Sequence, residues 1–177
     1  MRGWNNADGV RLAEVEMIER GLKLLVVTAF IVTALVGCGT TYIPNTTVED
    51  TSDNRRIIQF CEVYRHAMEE RDVGKLLALA SPRYHDDAGT PNGDDDTDYD
   101  RLKAFLSDRF PKTTAIRYEI KYHEVVFAEN SHIYVNYKFT ASYRVPTSHG
   151  DQWHHTVADN QLDLVTDGDT YKIMAGM

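Results

Sequence analysis

Ile133-Tyr134-Val135-Asn136-Tyr137-Lys138-Phe139-Thr140-Ala141-Ser142-Tyr143-Arg144-Val145 is the stretch that decides the architecture. Apolar side chains stand at every odd position from 133 to 145, with mostly polar ones between them. A period of two places one face of a strand on a core and the other in water. The same alternation occurs upstream, where Ile116, Tyr118, Ile120 and Tyr122 interleave with Arg117, Glu119, Lys121 and His123. Glu129-Asn130-Ser131 joins the two stretches and makes them an antiparallel pair. A third strand is expected from about Trp153 to Val165, and Asp167-Gly168-Asp169 turns it into a last one, Thr170 to Ala175. Half-polar strands need covering on one face only.

The covering elements lie upstream. Ile57, Phe60, Cys61, Tyr64, Ala67 and Met68 recur at spacings of three and four, which predicts an amphipathic helix of about four turns. Asp72 caps a second helix, Val73 to Ala80, ended by Ser81-Pro82. A third is expected from Tyr99 to Phe110, capped by Asp98, with Leu102, Phe105, Leu106 and Phe110 on one side and Pro111 closing it. The expected fold is α+β: three N-terminal helices packed on a curved antiparallel sheet of about four strands.

The 177 residues allow one domain plus a targeting segment. Nineteen basic residues against 27 acidic ones leave a net charge of −8. Residues 1–38 hold four of each sign, so the remainder still carries −8. A domain this acidic repels polyanions, which argues against nucleic acid as a partner.

Residues 24–36 form 13 uncharged, mostly apolar positions preceded by Arg20 and Lys23. A positive segment followed by a short apolar run is the anatomy of a signal sequence and falls short of the ~20 residues of a membrane span. Leu35-Val36-Gly37-Cys38 then resembles the lipobox of bacterial lipoproteins. The resemblance implies cleavage after Gly37, acylation of Cys38, a lipid-bilayer partner and a place in the cell envelope, the outer membrane if the cell is Gram-negative. An ordinary signal peptide cleaved near Gly37 is the plainer alternative. Asp8, Glu14 and Glu16 dilute the positive segment, so Met17 is a candidate start. Residues 38–54 are polar, without helical or alternating period, and are expected to tether a domain at 55–177.

The helix order, with Arg71-Asp72-Val73, Leu76-Leu77-Ala78-Leu79, Ser81-Pro82-Arg83-Tyr84 and a closing Asp169-Thr170-Tyr171-Lys172-Ile173, resembles nuclear-transport-factor-two-like (SnoaL-like) domains over roughly residues 55–177. The resemblance implies a cystatin-like cone with a pocket at its open end. It also implies a small apolar ligand or an envelope protein as partner, and a possible second copy paired through the sheet. Enzymes of that family use a pocket Asp, Tyr or His as acid or base, whereas many members only bind or assemble, so the fold leaves activity open.

The candidates for chemistry are Tyr64, Tyr84, His85, His123, Tyr137, His154, His155, Asp159 and Asp163, with His154, Tyr64 and Tyr137 placed first. Alternation sets Asp159 and Asp163 on the solvent face and gives His154 the phase of inward-facing Leu162. Tyr118, Tyr122, Tyr134, Tyr137 and Tyr143 also serve simply to pack a sheet. Asp94, Asp96, Asp98 and Asp100 alternate like the start of a calcium loop, although Tyr99 and Phe105 replace the Gly and Glu of an EF-hand. A helix cap in a solvated loop is the plainer reading. The histidines lack the short helical spacing of zinc sites and have no cysteine partners, and Cys61 on an apolar stripe reads as core. Three functions therefore stand: a non-catalytic ligand-binding or assembly domain, a small lyase or isomerase acting on an apolar substrate, and a calcium-stabilised module.

Overall fold

A computed structural model describes residues 39–89 and 93–177. The expected signal sequence (1–37), the alternative start at Met17 and the acylated Cys38 lie outside the described residues. Thr40–Met177 forms one compact unit.

Helix α1 spans Ser52–Glu70. It starts ahead of the apolar stripe because the Thr51 hydroxyl accepts the Asn54 N–H at 3.1 Å, an N-cap that sequence period does not display. The stripe itself is buried as its spacing requires, with Ile57 and Cys61 fully enclosed. Arg71 ends the helix in the left-handed region at φ 56°. The Asp72 N–H returns to the Ala67 carbonyl and the Arg71 N–H to that of Met68, so the last carbonyls are satisfied although no glycine supplies the turn. The reversal sends the chain straight into α2, Val73–Leu79, whose first turn is capped by Asp72. Two short strands follow, β1 (His85–Asp86) and β2 (Thr97–Asp98), paired antiparallel within what the sequence presents as an acidic loop. Helix α3, Tyr99–Arg109, is capped by Asp98 as expected.

The sheet is antiparallel throughout, in the order β3 (Ala115–Phe127), β4 (His132–Thr147), β5 (Gly150–Asp167) and β6 (Thr170–Ala175). The register sets Tyr118 opposite Ala141, Tyr137 opposite Asn160 and Ile133 opposite Leu164, so inward side chains face one another across neighbouring strands. A register shift between Tyr122 and Glu124 bends β3. The core gathers on the inner face, where Ile57 and Tyr64 of α1 meet Val135, Leu162, Leu164 and Ile173. The expected α+β architecture, three helices on a four-stranded antiparallel sheet, is the one observed.

The expected tether is corrected by the structure. Residues from Tyr42 onward fold into a strap: Tyr42 bridges Glu49, the Ile43 N–H reaches the Val48 carbonyl, and Val48 is only 2% exposed within the core. The Thr47 N–H donates to the Tyr122 carbonyl at 3.2 Å, which covers part of the free edge of β3. Isolated apolar residues in a polar stretch carry no period, so Ile43 and Val48 leave no signal of their burial.

Candidate binding cavity

A cavity of about 490 Å³ opens between α1, α3 and the inner face of β3 to β5. Leu102, Phe105, Leu106 and Phe110 form one wall, and Ile116, Phe139, Ala141, Tyr143 and Val145 form the opposite one. Tyr64 and Tyr118, 1% and 5% exposed, lie at its depth. Arg109 and Lys112, both exposed, stand at its rim. Leu102, Leu106 and Phe110 of this wall are buried, whereas Phe105 is left 56% exposed.

The deep polar groups satisfy one another. Asn160 donates through Nδ2 to the Tyr137 hydroxyl at 3.0 Å and to the Gly176 carbonyl at 3.1 Å. Tyr64 and Tyr118 meet edge to face, with ring centroids 6.2 Å apart. Burial raises the hydroxyl pKa of Tyr64, Tyr118 and Tyr137 above the ordinary tyrosine value, so these phenols stay protonated and serve as donors, not as bases.

The three foremost sequence candidates separate in space. Tyr64 lines the cavity, whereas Tyr137 lies behind the lining, 1% exposed and bonded to Asn160. His154 shares the inward phase but lies beyond the cavity, exposed and stacked on Tyr143 with ring centroids 5.1 Å apart. Tyr143, its register partner, lines the cavity, but His154 itself is left in solvent. Asp159 and Asp163 occupy the outer side as alternation predicts: Asp159 lies 3.5 Å from Lys138 and Asp163 pairs with His132 at 2.8 Å. His155 contacts the Ser142 hydroxyl at 2.9 Å, and His123 stands at the β3 bulge. Tyr84 and His85 are not among the lining residues: the Tyr84 hydroxyl donates to Asp86 at 3.2 Å and accepts the Met177 N–H at 3.1 Å, and His85 faces Asp96 at 3.6 Å. No Asp, Glu or His is among the residues lining the cavity.

Two of the alternating aspartates are engaged locally. Asp98 spends its carboxylate on the α3 cap, Asp96 faces His85, and Asp100 lies within the first turn of α3. Among the described residues no three His, Cys, Asp or Glu groups come together in a metal-holding arrangement. Strand pairing between β1 and β2 fixes this geometry, and period alone does not reveal it. Cys61, 0% exposed, is the core residue its stripe predicts, and burial pushes its thiol pKa upward.

Arg109, Lys112 and Asn160 escaped sequence reasoning. For Arg109 a signal exists: Leu102, Phe105, Leu106 and Arg109 follow the spacing of an apolar helical face, so a guanidinium occupies an apolar position.

No protein-family model matches the sequence, and no curated protein matches it. Solved structures do resemble it. A putative dehydratase of the NTF2-like family from Streptomyces avermitilis superposes with TM-score 0.56 at 13% identity, over 71% of this chain and 94% of that one. The fold is NTF2-like. A putative scytalone dehydratase from Novosphingobium aromaticivorans matches with TM-score 0.58 at 13% identity, covering 70% of this chain and 80% of its own. A putative calcium/calmodulin dependent protein kinase II association domain from Xanthomonas campestris matches at 0.56 and 12% identity, over 77% and 90%. This NTF2-like fold is thus shared by putative enzymes and an association domain, and function has to be argued from the cavity.

Proposed function

We propose that this chain is an envelope protein, exported and held by an acylated Cys38, whose NTF2-like cone binds a small apolar molecule without converting it. The observation that carries the binding reading is an apolar-walled cavity of about 490 Å³ with no carboxylate or imidazole in its lining. That volume falls within the roughly 300–1,000 Å³ of small-molecule sites. A dehydratase or isomerase needs a group that takes up a proton near neutral pH. Burial holds Tyr64 and Tyr118 protonated, and Arg109 and Lys112 are cations, so the cavity offers donors and charge with no carboxylate or imidazole to act as base.

Anchoring follows from Leu35-Val36-Gly37-Cys38. Because the Thr41 carbonyl already accepts the Asp50 N–H of the strap, only residues 39 and 40 lie between an acylated Cys38 and the domain, a reach of roughly 7 Å when extended. The cone would then work close to the head groups.

Titration with the neutral fluorophore 1-aminoanthracene tests the cavity. Saturable binding is expected, and Ala141→Trp, which fills the space, should abolish it while the circular dichroism spectrum is kept. Equal binding by both proteins would overturn the reading. Mass spectrometry of the mature amino terminus tests the anchor, with a lipid adduct expected on Cys38 and lost in Cys38→Ser.

A further inference from the structure

The cavity is apolar in its depth and cationic at its rim, and the two properties meet on α3. Arg109 holds its guanidinium carbon 5.5 Å from the centroid of the exposed Phe105 ring. Asp108, the neighbouring carboxylate, is already paired with Lys112, and Arg109 has no ion pair of its own among the described residues. The turn that follows α3 gathers further cations: Arg71 donates to the Thr113 carbonyl, and Arg144 donates to the Thr114 hydroxyl at 2.9 Å. In a chain of net charge −8 four cations thus gather around this turn; Lys112 pairs with Asp108 and Arg144 lies 3.4 Å from Asp151, which leaves Arg109 and Arg71 without an ion pair among the described residues. Nothing deep in the cavity calls for a polar group, since Asn160 is satisfied by Tyr137 and Gly176.

We propose that the cavity takes a single-chain anionic amphiphile, a free alkyl carboxylate, with its carboxylate between Arg109 and Lys112 and its chain lying along Leu102, Leu106 and Phe139. This rests on the binding reading above and adds the ligand's charge and polarity. A guanidinium can hold a carboxylate through two hydrogen bonds, and the chain covers Phe105, which otherwise stays in water. The volume suits one chain, and the rim presents charge for one head group.

Calorimetric titration of the full-length protein with decanoate and with decanol, repeated with Ala141→Trp and with the double variant Arg109→Gln/Lys112→Gln, is the test. Decanoate is expected to bind at least about tenfold more tightly than decanol, with an advantage that shrinks as salt is raised. The double variant should bring the two ligands to equal affinity, and Ala141→Trp should remove both. If decanol binds the unaltered protein as tightly as decanoate, the carboxylate proposal falls and the binding cavity stands. If neither ligand binds, or binding survives Ala141→Trp, the cavity reading falls as well. If phosphatidylglycerol vesicles capture the protein through Arg109 and Lys112 and decanoate does not compete, the rim belongs to a membrane surface and the proposal is overturned.

Discussion

Asn160 and Tyr137, register partners on β5 and β4, are joined by a 3.0 Å hydrogen bond from the amide to the phenol. The same amide donates to the Gly176 carbonyl, so one side chain ties the middle of the sheet to the chain beyond β6. Tyr137→Phe keeps the ring in the core and removes one acceptor, while Asn160 retains Gly176. A loss of about 1 kcal/mol is expected in urea denaturation, with ligand binding unchanged.

Burial raises the pKa of five tyrosines, Tyr64, Tyr84, Tyr118, Tyr122 and Tyr137. In the unfolded chain they ionise near the ordinary value of about 10. Folded-state values above the unfolded ones mean that the unfolded chain releases protons first as pH rises. Stability is therefore fully present below about pH 10 and falls progressively above it. Absorbance at the tyrosinate band should show these five titrating only with the unfolding transition. A single early transition for all the tyrosines would contradict the burial on which the donor assignment rests.

How far the sequence was legible follows from which signals are periodic. The strands and α1 declare themselves because their apolar spacings are long and regular, whereas the cone is what the family resemblance implies. The strap does not, since Val48 and Ile43 are single apolar residues whose burial depends on where β3 runs. The cavity is expected only as what the family resemblance implies, since no period marks the residues that line it. His154 shows the limit of alternation: phase selects a face of the sheet, but whether that face is covered depends on how far the helices extend. Arg109 is readable in principle, because it stands at a position of the apolar spacing set by Leu102, Phe105 and Leu106.

The strap can be tested directly. Val48, 2% exposed, packs in the core, so Val48→Ala removes two buried methyl groups and should cost roughly 1.5–2.5 kcal/mol. A flexible tether would give no change. Deletion of residues 1–47 should likewise lower the melting temperature, because it removes the Thr47 bond to the Tyr122 carbonyl along with the turn that presents Val48.

Asp98 caps α3 and Asp96 faces His85, so two of the four alternating aspartates are committed to local structure. Millimolar calcium and a chelator should leave the melting temperature where it is, since a ligand stabilises only what it binds in the folded state. A rise with calcium that Asp96→Asn removes would restore the cation loop.

The last prediction concerns Gly176, which the structure holds at φ 91° with a hypothetical Cβ 1.9 Å from the Gln161 carbonyl oxygen. No side chain fits there without moving backbone. At this point the Gly176 N–H donates to Asp86 at 2.9 Å and the Met177 N–H to the Tyr84 hydroxyl at 3.1 Å, and Met177 itself lines the cavity. Gly176→Ala therefore combines backbone strain with loss of this clasp, and a cost of roughly 2–4 kcal/mol is expected in denaturation. Because Met177 is displaced with it, affinity for the cavity ligand should fall as well. In Asp86→Asn the amide oxygen can still accept from Gly176, so ligand affinity is expected to hold. Binding that weakens in Gly176→Ala and persists in Asp86→Asn would place the effect in the position of Met177, not in the charge of the acidic segment.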